Sequence, residues 1–187
     1  RDFDFTRPFF DQFWELMNST PIGQCFIASS ENSDYSNYAV GNKNCYMASA
    51  SDYNQDSFYT DNSNYNRDCC DVSMVNKSEL CYESVDLVNS YTCLWSQNLT
   101  NCNFCFFCAD LIGCANCIGC VGLRNAEYFI FNKKLTKEEY ENILRNMALN
   151  THSGAALVRS EFNKFRLNQP RKFSNNLNAE NCTGNYI

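Results

Sequence analysis

A single histidine, three prolines and seven glycines in 187 residues leave little material for several common kinds of site. With His152 alone, in an expected Gly-containing turn between helices, no paired-His metal motif exists, and no Cys, Ser or acid stands near it at a catalytic spacing. Phosphate loops and dinucleotide fingerprints do not occur. No apolar run approaches the ~18 residues of a membrane helix. Basic residues are outnumbered, 15 Lys and Arg against 21 Asp and Glu, with net charge −6 and pI about 4.8. That balance speaks against nucleic acid as a partner, and against an anionic membrane. No signal-peptide pattern opens the chain and position 1 is not Met, so a segment of something longer is expected.

What is abundant is unusual: 13 Cys, 11 Tyr, 15 Phe and 27 Asn. Apolar residues reach 44%, enough to bury a core in one domain with an appendage. An odd number of cysteines forbids a fully paired monomer.

The cysteines fall on a period. Cys45, Cys69, Cys81, Cys93, Cys105 and Cys117 are separated by multiples of twelve, with Ser33 and Ser57 in the vacant slots. Three residues on, a second column runs Ser36, Ala48, Thr60, Val72, Ser84, Ser96, Cys108, Cys120. A third ends in Leu87, Leu99, Leu111 and Leu123, and a fourth runs from Asn42, Asn54 and Asn66 through Ser78 and Ser90 to Cys102 and Cys114. These columns hold 31 of the 92 residues between Ser33 and Arg124, and none of the 14 charged or 13 aromatic ones. Such a pattern predicts a narrow β-solenoid of about twelve residues per coil, every third side chain pointing inward. Small residues, Cys and Leu fit that interior, whereas Tyr or Lys would not. An α-helix also has spacing of three, but runs such as Asp61-Asn62-Ser63-Asn64-Tyr65-Asn66 are poor helix formers and good turn formers. Between seven and eight coils give a rod of roughly 36 Å at strand spacing. The repeat is similar in architecture to the twelve-residue-coil β-helix of beetle antifreeze proteins. The likeness stops there, because no flat Thr-x-Thr ladder exists here.

Four segments are expected. Residues 1–30 would form an N-terminal helical cap, with Thr6 as N-cap and an apolar stripe of Phe9, Phe10, Phe13, Leu16 and Met17. Residues 31–125 would be the solenoid. Residues 126–170 would hold a strand over 127–131, a helix N-capped by Thr136, and a second helix from about Ala155 to Leu167, stopped by Pro170. Residues 171–187 return to the composition of the repeat and read as the start of a second Cys-rich array.

The chain resembles a family of Cys-rich, zinc-ribbon-plus-repeat proteins of small-genome bacteria and large bacteriophages, often mislabelled as CaiB/BaiF CoA-transferases. The resemblance is carried by Arg1 through Phe10, Glu31-Asn32-Ser33-Asp34-Tyr35, Cys117 through Asn125, Tyr128 through Tyr140, Arg171-Lys172-Phe173-Ser174 and Glu180-Asn181-Cys182-Thr183-Gly184. It implies Cys-rich segments on both flanks and a place in a larger assembly, a virion or a cell surface. It implies no catalytic residue, and no CoA-transferase signature is present.

Two candidate sites remain. Cys102, Cys105, Cys108, Cys114, Cys117 and Cys120 form two Cys-x-x-Cys-x-x-Cys runs in adjacent coils. They would serve as packed thiols, as disulfides, or as ligands of zinc or an iron–sulfur cluster. Drift of the same columns into Val and Leu favours packing. The other site is an outer stripe, Tyr46, Phe58, Tyr82, Leu94 and Phe106, beside Met47, Tyr59, Trp95 and Phe107. An apolar stripe of that length marks an interface, either with the helices after Asn125 or with a protein partner or second copy. The reading is a non-enzymatic scaffold or spacer that needs no cofactor; the alternative is a metal-binding module.

Overall fold

The computed structural model describes residues 3–21, 23–174 and 180–184. A helix α1 (Phe9–Ser19) precedes strands β1 (Ile27–Ala28), β2 (Ala39–Val40), β3 (Tyr46–Ser49), β4 (Phe58–Asp61), β5 (Cys70–Asn76) and β6 (Tyr82–Val88). There follow β7 (Tyr91–Leu94), β8 (Gln97–Thr100), β9 (Asn103–Phe106), β10 (Ala109–Ile112), β11 (Ala115–Ile118), β12 (Glu127–Ile130) and β13 (Lys133–Lys134). Helices α2 (Lys137–Met147) and α3 (His152–Leu167) follow.

The strands wind into a β-solenoid of about nine turns with twelve residues per turn. Parallel pairing at a constant offset shows it directly: Ile27 faces Ala39, Tyr46 faces Phe58, Cys93 faces Cys105 and Cys117 faces Phe129. Nine coils at strand spacing make a rod of about 43 Å. It is longer than the expected rod because coils were hidden at both ends. The frame begins at Phe26, whose carbonyl accepts from Ala39, and not at residue 31. It continues past Arg124, since β12 pairs in register with β11 and places Ala126 and Phe129 inward. An aromatic ring is admitted at Phe129 because the rod ends there and no further coil has to stack on it.

The coil is built from triplets. One residue points out, the next takes a left-handed conformation, and the third points in. From Ser29 to Phe131 every third residue has positive φ, including Asn44, Asp56, Asp68, Trp95 and Phe107. Asn and Asp tolerate that region, but Tyr, Phe and Trp enter it only where neighbours compensate. The compensation is stacking along the rod: Trp95 and Phe107 lie 4.6 Å apart and nearly parallel, and Tyr53 stacks on Tyr65 at 5.2 Å. Where a ring folds over the coil before it, glycine is required. A Cβ on Gly119 would meet the Phe131 ring at 2.6 Å, at a φ of +64°.

The inward columns are the core. Cys45, Cys69, Cys81, Cys93, Cys105, Cys117, Leu87, Leu99 and Leu111 are buried, and Leu123 is half-buried against the same cluster. Their chemistry is more specific than smallness. The left-handed residue brings each inward side chain back to the carbonyl two residues earlier. Ser63 Oγ donates to Asp61 at 2.7 Å, and Cys45 Sγ donates to Lys43 at 3.3 Å and to Asn54 in the next coil at 3.4 Å. Ser oxygens also accept from the inward N–H one coil on, as Ser33 does from Cys45. Asn does both jobs: Asn54 accepts from Asn66 N–H at 2.9 Å and donates to the Ser63 carbonyl at 2.7 Å. Cys, Ser and Asn interchange because each carries a short donor that reaches a carbonyl of the coil wall: Cys45 adds a second bond to the Lys43 carbonyl, which already accepts from Asp56 N–H.

Outside the rod three expectations need correction. Thr6 is not the N-cap of α1; it bonds to Asp4, and the helix starts after Pro8. Of the stripe expected to pack over the rod's end, Phe9, Phe10, Phe13 and Leu16 are exposed and Met17 is half-buried, and no residue of α1 is buried. His152 lies inside α3 rather than in a turn, because Thr151 caps the helix by accepting from Gly154. Thr136 caps α2 in a capping box with Glu139, as the sequence suggests. Of the second array, residues 175–179 and 185–187 lie outside the described residues.

Candidate functional site

The outer stripe is one surface with two fates. Toward the C-terminal end, α2 and α3 lie along the flank of the rod and cover it. Val158 and Phe162 of α3 and Tyr140 of α2 pack with Phe107, Ile118 and Ile130, and Trp95 and Phe106 join that cluster. Phe162 meets Phe107 at 6.4 Å, Phe165 meets Phe131 at 5.4 Å, and Tyr140 meets Tyr128 at 5.6 Å between ring centroids. Phe107 is only 1% exposed as a result. Two polar clamps flank the apolar contact: Arg159 bonds to Glu83, and Arg166 donates to Gln97 at 2.7 Å. The chain's own helices therefore occupy the part of the predicted interface at Phe106.

Toward the N-terminal end the same columns are uncovered. Phe58 is 44% exposed, Tyr59 50% and Met47 47%, while Tyr46 is half-buried between the rings of Tyr35 and Tyr59. Tyr82 and Leu94 are half-buried where the two regimes meet. The sequence offered no sign of which helical residues seat the covered half. The only trace was Val158, Phe162 and Phe165 at helical spacing.

At the boundary lies a cleft of about 340 Å³ lined by Tyr82, Glu83, Trp95, Thr151, His152 and Arg159. Partial burial opposes a charge on Glu83, but bonds from Tyr82 and Arg159, with help from Trp95, outweigh it and lower its pKa. The same bond raises the Tyr82 phenol. These groups satisfy one another and act as a clamp on α3.

The six clustered cysteines are all buried in neighbouring coils, but their hydrogens are already engaged. Cys102 donates to Thr100 at 3.4 Å and to Leu111 at 3.6 Å, and Cys108 to Phe106 at 3.3 Å and Cys117 at 3.5 Å. All 13 cysteines are free thiols. Among the described residues no three Cys, His, Asp or Glu side chains are placed to share a metal ion. A metal would need thiolates, and bonding among the packed thiols, together with burial, pushes Cys69 and Cys105 up. Cys108 differs from them: burial opposes its charge, but hydrogen bonds from Cys105 and Cys120 outweigh that and lower its pKa. This donor set fits packed thiols better than zinc or an iron–sulfur cluster.

No protein-family model and no curated protein matches the chain. Among solved structures, a Bacillus cereus protein described provisionally as an acetyltransferase is similar over 78% of this chain and 91% of its own, at 10% identity and a TM-score of 0.21. A likeness of that size carries no assignment of activity.

Proposed function

We propose that this chain is a non-enzymatic structural module, a stiff β-solenoid scaffold within a larger assembly that holds a protein partner along the uncovered part of its aromatic stripe. The observation that supports this most is the divided stripe. One half of the stripe already receives an amphipathic helix, α3, and the other half, beyond Cys70 and Asp71, presents Tyr46, Met47, Phe58 and Tyr59, on which no helix packs among the described residues. Each large apolar side chain covered there adds roughly 1.5–3 kcal/mol of gross transfer free energy, and several together exceed the cost of association. The net charge of −6 favours protein over polyanions as the partner.

A photo-crosslinking residue at Phe58, with a control at Asn103 on another face, tests the reading in an extract of the source cells. We expect one protein to join at position 58 and not at 103, and to be lost when Met47 and Tyr59 are changed to Ser. Equal labelling at both positions, or none at 58, would count against it.

A further inference from the structure

The two ends of the rod are finished differently. At the C-terminal end β13 turns back antiparallel on β12, covering Phe129 and Ile130. The Asn132 amide accepts from and donates to Val121, both at 2.9 Å, and Arg124 donates to the Asp110 and Leu123 carbonyls. That edge is closed. At the N-terminal edge, among the described residues, no strand precedes β1, and α1 buries none of its residues.

Within the rod, each coil repeats two backbone bonds. A left-handed residue donates to the outward residue of the coil before, as Asn44 does to Glu31 at 3.0 Å. An outward residue donates to the inward residue of the coil after, as Glu31 does to Asn42 at 2.8 Å. In the first coil the left-handed residues Ser29, Asn32 and Tyr35 have no coil before them. Among the described residues their N–H groups reach no acceptor. An unpaired strand edge of this kind is a template for another strand.

The chain also carries a piece shaped for that edge. In Glu180-Asn181-Cys182, Asn181 is left-handed at φ 55°, and Cys182 Sγ donates to the Glu180 carbonyl at 3.2 Å. Lys43-Asn44-Cys45 has the same form, with φ 51° and a 3.3 Å bond. So has Glu31-Asn32-Ser33, with φ 46° and a 2.9 Å bond. The tail triplet has the form of a coil face, is exposed, and among the described residues makes no backbone bond to a coil.

We propose that Glu180–Gly184 of one copy adds as a parallel strand to Ala28–Asn32 of a second copy, joining rods tail to head. The register sets Glu180 over Ala28, Asn181 over Ser29, Cys182 over Ser30, Thr183 over Glu31 and Gly184 over Asn32. Ser29 N–H then donates to the Glu180 carbonyl, and Thr183 N–H to the Ser30 carbonyl, which repeats the two bonds of every internal coil. Glu180 stays clear of Glu31 and Asp34, and a glycine falls at the left-handed position. A second copy is favoured over the chain's own edge by reach. The end of α3 packs near Phe131 and Gln97, some six to eight coils or roughly 30–40 Å from the first coil. The twelve residues from Asn168 to Glu180 reach at most about 40 Å even fully extended, so the chain's own first coil lies at the limit of that reach, whereas the edge of a second copy is not so restricted. This contact uses the ends of the rod and is independent of the stripe on its side.

Sedimentation and small-angle X-ray scattering of the full chain under reducing conditions, over a concentration series, test it. We expect the mass to rise with concentration and the longest dimension to grow by rod lengths at constant cross-section. Asn181→Pro, which forbids the left-handed tail, and Ser29→Pro, which removes the edge donor, should each hold the chain at one protomer. Mixed together they should give dimers and nothing longer, because one keeps an intact edge and the other an intact tail. A synthetic peptide of residues 171–187 should block wild-type association, a readout that does not depend on either variant folding. A wild type that stays monomeric, an Asn181→Pro variant that associates as before, or a cross-section that doubles instead of a length would overturn the proposal.

Discussion

The two halves of the rod solve the same geometric problem with different chemistry. In the N-terminal half the interior is largely polar: Asn42, Asn54 and Asn66 form one ladder, and Ser33, Ser51, Ser57 and Ser63 stand in others, all buried. In the C-terminal half those columns turn to Cys102, Cys114, Leu99 and Leu111. The change inside follows the change outside. Where α2 and α3 cover the flank, apolar burial contributes to stability from both sides of the wall, and thiols and leucines suffice within. Where no helix covers the rod, hydrogen-bonded Ser and Asn ladders hold each coil to the next. A backbone this narrow can thus be held either by inward side chains that donate to its carbonyls, as Asn54 does to Ser63, or by inward leucines that pack on one another with no donor at all.

That comparison can be broken most severely by a charge in the apolar half. Leu87→Asp should destabilise by on the order of 5 kcal/mol, because the carboxylate would be buried without a partner. Thermal melting of the rod should show it. A smaller effect is expected from Phe162→Ala, about 3 kcal/mol, lost from the docking of α3 rather than from the coils. Hydrogen exchange should then rise in α3 and at Phe107 while β3 to β6 stay protected.

Two substitutions sharpen the polar half against itself. Asn54→Leu strands the Asn66 N–H and the Ser63 carbonyl and should cost about 2–4 kcal/mol. Thr60 is equally buried, but its hydroxyl has no partner among the described residues. Thr60→Val should therefore change stability by less than about 1 kcal/mol, and toward the stable side. Paired denaturation curves would separate hydrogen bonding from mere size as the rule of the interior. The smallest effect is electrostatic. Glu83 has a lowered pKa in the fold, so its contribution is present above the ordinary carboxylate range and is lost as pH falls through the lowered value. The pair with Arg159 is more than one-third exposed, and its loss should weaken α3 by no more than about 1 kcal/mol.

Much of the solenoid was legible because its period acts on composition. Charged and aromatic residues are excluded from one position in three, and that exclusion survives any ignorance of strand length. The ends were not legible for the same reason. Phe129 violates the exclusion where no coil stacks above it, so the last turn looked like an isolated strand. The left-handed residue in every triplet left only a weak trace, because Asn and Asp mark it in some columns while Tyr, Trp and Phe occupy it in others. The stripe was visible as a column of large side chains, yet its division was not. Which half is covered depends on where α3 lies, and a helix's apolar face does not name the surface it will meet. Thr6 and Pro8 illustrate the ordinary ambiguity at helix starts, where a local bond from Thr6 to Asp4 competes with capping.

The account rests on the inward direction of the cysteine columns, and thiol accessibility measures that direction directly. Timed labelling of the reduced, native chain with a thiol reagent, read residue by residue by mass spectrometry, should give three classes. Cys25 and Cys182 are exposed and should react at once, with half-buried Cys70 following. The ten buried cysteines should react only as fast as the rod unfolds, and a chelator should change neither their number nor their rate. Prompt labelling of Cys81 or Cys93 in the folded chain, or release of the Cys102–Cys120 group by a chelator, would contradict it.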